Sequence, residues 1–294
     1  MAINLASKFE SKTSDLLKVA RKTKDMVNND WSWDGVNAIN VYTLTDPVMG
    51  NYNPNGTGNR YGNPTEVEDT IQTWTLSRDR AWTKIIDKKN YQDQLMVKKP
   101  GKYLAQATKN VLIPEMDAYI LQTIATAGAN SATLTAAAGI TTVPDRDDIV
   151  ADAATTSANA YTNFLTINAD ISDREAPTEG RIAGMTATYY NFLKQGGFVL
   201  DSDSAYRDRK SGNLGEVDGV KVVLIPSSRM PVTSGAIDLL ITHPSVTVSP
   251  EKLVDYTLHN NPPGVSGDLL EYRHRYDAFA DVNKLQSIGM HAVA

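Results

Sequence analysis

The chain has 294 residues, 41% of them hydrophobic and 21% charged, which suffices for one large core or two modest ones. Its net charge of -5 argues against a protein that binds nucleic acid over its whole surface. The absence of cysteine excludes disulfides, thiolate metal sites and a cysteine nucleophile.

The first 30 residues predict a helical arm. Leu16, Val19, Thr23 and Met26 recur at helical spacing and form only a narrow apolar stripe. A helix of this kind usually lies on another surface. Six cations are scattered through the segment, so it lacks the uninterrupted apolar block of a signal peptide. We expect the arm to end at the turn-forming residues 28–30.

Residues 46–69 form a polar stretch between two strand-like runs, residues 38–45 and 70–76. The stretch cannot bury enough apolar surface to order itself, and a lone two-stranded ribbon is marginal in water. We therefore predict a long hairpin arm that a neighbouring molecule orders. Residues 81–87 keep the β-branched and aromatic character, and we assign them to the returning half of the hairpin. The glycines of the polar stretch are Gly50, Gly56, Gly58 and Gly62.

Residues 78–102 contain eight cations and three anions, an excess of five positive charges in an otherwise acidic chain. Such cations usually sit in solvent or pair across contacts between subunits. We assign Lys84 and Lys88 to contacts between subunits.

The strongest helical signal spans residues 104–125, where apolar residues step by three and four. A flanking row contains Ile113, Asp117 and Ile120. The pattern predicts a rod of about 25 residues, about 37 Å long, with a kink at Pro114 because proline removes a backbone donor. The uncharged residues 118–144 are too polar for a membrane helix and are interpreted as the helix end and a loop.

The rest of the chain predicts mixed α and β structure. Residues 147–160 predict an alanine-rich helix, and residues 187–195 predict a second helix that Gly196 and Gly197 close. Strands are predicted at residues 181–185, 220–226, 236–242, 245–249 and 269–276.

Two loops are similar to ligand-binding motifs but depart from them at essential positions. The glycine-rich tip has Tyr61 where a dinucleotide fingerprint needs glycine, and no Gly-Lys-Ser/Thr follows. The acidic run that begins at Asp201 has Tyr206 and Gly212 where a calcium loop needs glycine and a bidentate glutamate. Neither a phosphate site nor a calcium site is predicted.

Catalytic patterns are equally weak. No two histidines have the i, i+4 spacing of a helical metal site. Ser266 misses the nucleophile-elbow pattern because Asp268 stands at the position of the last glycine. No catalytic, cofactor-binding or metal-binding residue is predicted, and the chain is not expected to be an enzyme.

Several segments carry a resemblance to a known family. In residues 215–228 a glycine-flanked turn precedes a strand, and in residues 177–185 a strand precedes a helix. Residues 236–243 and 288–293 are similar to strands that cross between two lobes. Their order over nearly the whole chain resembles the major capsid proteins of tailed bacteriophages, whose Hong Kong 97-like fold encapsulin shells also use.

The resemblance implies an α+β fold with an N-terminal arm, an extended β-hairpin E-loop, a spine-helix P-domain and a mixed α/β A-domain. The implied regions are residues 1–34 for the arm, 35–92 for the E-loop, 93–128 for the spine helix, 129–235 for the A-domain, 236–283 for the P-domain strands and 284–294 for a return to the A-domain.

The function implied by the resemblance is that of a coat protein of the virion. It would self-assemble in the host bacterial cytoplasm into hexamers and pentamers of an icosahedral head that encloses double-stranded DNA. The implied partners are copies of itself, separate scaffolding, portal and decoration proteins, and packaged DNA through non-specific contact, with no membrane. Because the arm begins close to Met1, we expect no cleaved scaffold segment. Lys84, Lys88 and Lys89 could crosslink, but no partner asparagine is identifiable and no crosslink is predicted.

Residues 1–30 and 51–63 are expected to contact neighbouring subunits. Aromatic residues often anchor such interfaces, although core burial explains Trp74 and Trp82 equally well. The residues predicted to act in assembly are Trp31, Trp33, Gly56, Gly58, Gly62, Trp74, Trp82, Lys84 and Lys88.

Three alternatives remain open at the level of sequence. An encapsulin-like nanocompartment would share the fold and hold a cargo protein. A tail-tube or surface-array protein would use an extended hairpin equally well. An enzyme would need a concave site with convergent, pKa-shifted groups.

Overall fold

The computed structural model describes residues 20–28, 31, 33, 37–55, 58–89, 100–130, 151–152, 154–195, 215–232 and 236–293. Helices and several small sheets combine in an α+β arrangement, as the sequence predicts. The helices are α1 Pro100–Ala107, α2 Ile113–Asn130, α3 Ala160–Asp173 and α4 Ala187–Gln195.

The strands of the described residues are numbered in chain order. They are β1 Ala38–Leu44, β2 Asp69–Thr75, β3 Asp79–Asp87, β4 Ala151–Asp152, β5 Ile182–Met185, β6 Glu216–Val217, β7 Val220–Leu224, β8 Ala236–Thr242, β9 Thr247–Val248, β10 Glu251–Asn260, β11 Gly267–Tyr276, β12 Phe279–Ala280 and β13 Gly289–Val293.

A six-stranded mixed sheet in the order β4-β13-β8-β5-β7-β6 forms the centre of the molecule. Alternate side chains of its strands enter two cores, one on each face. The first core packs α2 on the sheet through Ile124, Leu240 and other buried apolar residues. The second core packs α3 and α4 on the other face through Phe164 and Tyr189. Burial on both faces explains why β5 and β8 are almost entirely apolar.

The long predicted helix is present, and all of residues 100–130 are helical, which makes it longer than expected. A π-helical turn, Thr108–Leu112, separates α1 from α2. It lies where Pro114 cannot donate a backbone hydrogen bond to the preceding turn, so the predicted kink takes the form of a wider turn.

Two smaller sheets extend from this body. β1 and β2 form an antiparallel hairpin in which Val41 lies opposite Gln72, which confirms both predicted strands. β11 lies between β10 and β3 in a three-stranded antiparallel sheet. The predicted strands in β5, β7, β8 and β11 and the helix α4 are also present.

The predicted amino-terminal helix is wrong over the part that the structure describes. Residues 20–28 contain only the short 3-10 turn Lys24–Met26, and the segment is otherwise irregular. Met26 is fully buried in the first core, and Asn28 forms a bridge with Val248. Tertiary contacts therefore override the helical pattern here. Residues 1–19 lie outside the described residues.

The predicted helix of residues 147–160 is wrong over residues 151–152 and 154–159. Residues 151–152 form β4, which pairs in parallel with β13, and the helix α3 begins only at Ala160. The alanine-rich composition favours a helix locally, but the edge of the six-stranded sheet supplies backbone partners to the chain at this point.

The assignment of residues 81–87 to the returning half of the hairpin is also wrong. β3 pairs with β11, with Trp82 opposite Tyr272, whereas β2 alone pairs with β1. Leu76, Ser77 and Arg78 separate the two strands and turn the chain from one sheet into the other.

The predicted boundary between residues 235 and 236 lies at the start of β8. This strand pairs with β5 on one side and with β13 on the other. The division of the chain into an A-domain and a P-domain remains a prediction.

Candidate functional site

The hairpin β1–β2 projects from a root that is fixed to the body. At the root, Trp74 and Leu76 are buried with Trp33, Val41 and Val248 in a third small core. Trp33 and Trp74 both stack on Phe279, with ring centroids 5.4 and 5.8 Å apart. Pairs of this kind add stability beyond the area they bury. Core burial, the alternative that the sequence left open for Trp74, is what the structure shows for it and for Trp33.

Polar contacts reinforce the root. The Asn283 side-chain amide donates to the Thr43 hydroxyl at 2.6 Å, and the Arg275 guanidinium donates to the Leu76 carbonyl at 3.1 Å. Trp31 meets Trp74 edge to face, with 5.7 Å between ring centroids, and is only partly buried. The root is therefore held by contacts with Asn283, Arg275 and Trp31, which are distant from it in sequence.

Beyond the root, no hydrogen bond or ion pair joins the hairpin to the rest of the described residues. Residues 45–55 and 58–70 are exposed throughout. Two backbone bonds keep the ribbon closed, from the Thr45 amide to the Glu68 carbonyl at 2.9 Å and from the Asn53 amide to the Arg60 carbonyl at 3.1 Å. The large apolar side chains exposed in this part, counted from Leu44 at the end of β1, are Leu44 at 68%, Val48 at 97%, Met49 at 92%, Tyr52 at 50%, Tyr61 at 87% and Val67 at 69%.

The tip turns through residues that tolerate unusual backbone angles. Gly62 has a φ of +93°, where a side chain would be strained, and a Cβ on Gly58 would meet nothing within 4 Å. Gly62 therefore serves the turn, whereas Gly58 lies in open space. Gly56 lies outside the described residues.

The other predicted assembly residues lie on and just after β3. Trp82 is half-buried between Tyr272, at 5.7 Å between ring centroids, and Tyr103 of α1, at 5.6 Å. Lys84 and Lys88 are exposed and form no ion pair with a described residue. The structure therefore separates them from the hairpin tip and places them on the three-stranded sheet and its end.

Ser77, Arg78 and the carboxylate of Asp277 form the junction between β2 and β3. One Asp277 oxygen accepts from the Ser77 amide at 2.8 Å, and the other accepts from the Tyr119 hydroxyl at 2.6 Å. Burial and the bond to Asp277 raise the pKa of Tyr119 to about 12, so its hydroxyl remains a donor. The junction fixes the direction in which the hairpin leaves the body.

Glu115 of α2 completes this junction. It pairs with Arg78 at 2.6 Å and with Arg80 at 2.7 Å. Burial alone would raise the pKa of Glu115, but the two guanidinium groups outweigh it and lower the pKa. The Arg78 guanidinium also lies 4.2 Å from the centre of the Tyr119 ring.

Asp117 forms a clamp that sequence reasoning missed. Its fully buried carboxylate accepts from the Thr23 hydroxyl at 2.8 Å, from the Lys22 amide at 3.1 Å and from the Arg229 guanidinium at 2.8 Å. Arg229 also donates to the Ala20 carbonyl at 3.1 Å. The clamp holds residues 20–23 on α2. The single signal in the sequence is an aspartate standing in an apolar helical row.

A polar cluster around His291 is the strongest catalytic candidate among the described residues. His291 is buried, and its Nδ1 lies 2.7 Å from the Asp238 carboxylate and 3.5 Å from the Thr155 hydroxyl. In a catalytic triad the acid and the nucleophile lie on opposite ring nitrogens, whereas here both groups lie at Nδ1. The other nitrogen, Nε2, lies 3.2 Å from the Asn163 amide. The cluster therefore ties β13 to β8 and α3.

The described residues contain no group of three His, Cys, Asp or Glu side chains that could hold a metal ion. Within the same residues, no helix has the length and apolar character needed to cross a membrane.

No protein-family model and no curated protein matches the chain. Solved structures do match it. A chain from Mycobacterium phage Che8 is similar with a TM-score of 0.75 and 14% identity, over 98% of this chain and 96% of that one. The mature capsid of bacteriophage PhiM1 gives 0.71 and 12%, over 99% and 92%. The capsid of cyanophage P-SCSP1u gives 0.71 and 15%, over 99% and 93%.

The similarity extends over nearly the full length of each chain, so it covers the hairpin, the long helix and the six-stranded sheet together. It confirms the fold that the sequence predicts. This chain has the fold of the major capsid proteins of tailed bacteriophages.

Proposed function

We propose that the chain is the major capsid protein of a tailed bacteriophage. It assembles into hexamers and pentamers, which close an icosahedral shell around double-stranded DNA. The capsid structures with the same fold support this proposal, and so does the geometry of the hairpin.

One observation carries the proposal: the outer hairpin exposes large apolar side chains while its root is buried and hydrogen-bonded. In a monomer, the exposed side chains of Val48, Met49 and Tyr61 contribute nothing to folding stability. Burying side chains of this size contributes on the order of 1.5–3 kcal/mol each. A second copy that covers the hairpin would supply that burial.

Repetition makes such contacts effective. Each copy in a closed shell offers its hairpin to a neighbour and receives another, so every interface occurs many times. Association of this kind stabilises the folded chain by mass action. Trp82, Lys84 and Lys88, on or just after β3, are proposed to contribute to neighbouring contacts.

The proposal extends to the location and partners of the chain. The chain assembles in the host bacterial cytoplasm and then resides in the virion. A scaffolding protein, a portal and decoration proteins are proposed partners, and packaged DNA is contacted without sequence specificity.

Electron microscopy of the purified, assembled protein tests the proposal. We expect closed icosahedral particles, and particles from infected cells should contain double-stranded DNA. A small shell filled with protein would instead indicate a nanocompartment, and tubes or flat sheets would indicate a tail or surface-layer protein. A compact single chain at micromolar concentration, with the hairpin folded back on its own body, would overturn the proposal.

No covalent bond between subunits is proposed. Particles boiled in detergent should give a single band at the mass of one chain, because no partner asparagine for a lysine is identified. A ladder of higher bands would contradict this.

A further inference from the structure

A cavity of about 360 Å³ lies where residues 21–25 approach the end of β7. Its walls include Arg21, Lys22 and Lys24 on one side and Val222, Val223 and Leu224 on the other. Val222 packs against the second core and Val223 against the first, on opposite faces of the sheet. A cavity that touches both residues must therefore open at the edge of the strand.

That edge of β7 is open among the described residues. β6 pairs only with Val220 and Lys221, and the Val222 amide donates to the Gly215 carbonyl at 3.1 Å. The amides of Lys221 and Ile225 donate towards β5, so the amide of Leu224 faces the other way. No described strand pairs with it. An open edge of this kind accepts an added strand.

The mouth of the cavity is positively charged. Lys22 and Lys24 form no ion pair with any described residue, whereas Arg21 pairs with Glu251 and Asp25 pairs with Lys221. The side chain of Leu224 is 39% exposed beside them. The occupant should therefore be an extended segment that combines carboxylates with an apolar residue.

The hairpin contains such a segment. Residues 65–68 read Thr-Glu-Val-Glu, are exposed and belong to no helix, strand or turn. Glu66 and Glu68 form no ion pair with a described residue. In an extended chain they lie on one side and Val67 lies on the other. The Glu68 carbonyl already accepts from the Thr45 amide, so the groups available to another strand are those of Thr65 and Val67, which face the opposite edge. The segment begins about 20 Å beyond the root, at 3.3 Å for each residue of β2.

We infer that residues 65–68 of one copy add as a strand to the open edge of β7 in a second copy. Glu66 and Glu68 then face Lys22 and Lys24, and Val67 covers Leu224. The inference rests on the proposed function, because it needs a neighbouring copy, and it names the contact that the neighbour makes.

A disulfide trap tests the pairing directly, since the natural chain has no cysteine. Val67→Cys is combined with Leu224→Cys, and Thr65→Cys with Leu224→Cys covers the register two residues away. All three positions are exposed, so folding should be unchanged. We expect one of the pairs to give a ladder of linked subunits on mild oxidation of assembled particles. Val48→Cys with Leu224→Cys is the control and should remain a single band.

A charge exchange tests the ionic part. Glu66→Lys with Glu68→Lys, and separately Lys22→Glu with Lys24→Glu, should each reduce the yield of particles about tenfold, because like charges then face one another. The variant with all four changes should recover most of the yield. Thermal unfolding of the dissociated chains shows whether each variant still folds.

The results distinguish a failure of this contact from a failure of the proposed function. Particles that form normally but give no linked subunits with either cysteine pair would overturn this contact and leave the proposed function intact. Rescue of the glutamate reversals by Lys84→Glu with Lys88→Glu would also overturn it, in favour of the β3 lysines. Lysine reversals that leave assembly intact but lose DNA would show that the cavity binds phosphate. A wild-type chain that never assembles would overturn both this contact and the proposed function.

Discussion

The inner and outer parts of the same hairpin differ in every physical respect. At the inner part, Val41 and Trp74 are buried, and Arg275, 199 positions away, holds the Leu76 carbonyl. At the outer part, Val48 and Met49 are almost fully exposed, and the described residues form hydrogen bonds only within the hairpin itself. The comparison teaches that the folding stability of the chain resides in the root and the body, whereas the outer part is available for a partner.

The largest loss of stability should come from breaking the clamp in the body. Arg229→Met leaves the Asp117 carboxylate buried without its cation, which should reduce the free energy of unfolding by about 3–5 kcal/mol. The measurement is urea denaturation of the dissociated chain. Arg21→Met, which removes the more exposed pair with Glu251, is the control and should cost about 1 kcal/mol or less. Equal effects of the two substitutions would contradict the clamp.

The next largest effect should come from the root. Trp74→Ala removes the ring that stacks on Phe279 and should reduce the free energy of unfolding by about 3 kcal/mol. Ile71→Ala, on the same strand but 55% exposed, should change it by less than about 0.5 kcal/mol. A small effect at Trp74 would show that the root is not a core.

A pH series should sharpen the contrast between carboxylates of the body and of the hairpin. The lowered pKa of Glu115 means that its pairs stabilise the fold above the ordinary glutamate value of 4.5, and that this stability is lost as the pH falls through the folded-state pKa. Glu115→Gln should flatten that part of the stability profile. Glu68→Gln removes an exposed carboxylate of the hairpin outside these pairs and is the control for the loss of one charge. A profile that Glu115→Gln does not alter would contradict the role of the arginine pairs.

The smallest effect on folding should accompany a large effect on assembly. Val48→Ser combined with Met49→Ser should change the free energy of unfolding by less than about 0.5 kcal/mol, because both side chains are already in water. The yield of particles, counted by electron microscopy, should nevertheless fall sharply. Val232→Ser, an exposed valine of the body, is the matched control. Normal assembly of the double variant would break the comparison.

Local periodicity predicted much of the fold. β1, β2, β8, β11 and α4 were predicted with nearly their observed bounds, because alternation and helical spacing record which side of an element is buried. β10 was missed, since Leu253 and Val254 are adjacent and its exposed pattern shows no clean alternation. Along the long helix, Pro114 signalled the irregularity but not its π-helical form.

The candidate site was predicted only in outline. The glycines and asparagines of residues 46–69 were enough to identify an arm, and its exposure follows from composition. No local pattern could place the clamp, because Asp117 and Arg229 are 112 residues apart. The cavity at β7 is also invisible in sequence, since it depends on where β6 stops pairing.

The sequence by itself determined that the chain has a long helix, several strands and a polar arm too poor in apolar residues to order itself. Only the tertiary structure decided that β3 pairs with β11, that Trp33 and Trp74 are buried and that, on the side away from β5, no described strand pairs with β7 beyond Val222. The physical reason is that periodicity and composition are local properties. Strand partners and buried charges are instead chosen by the competition among distant segments for the same backbone donors and the same core.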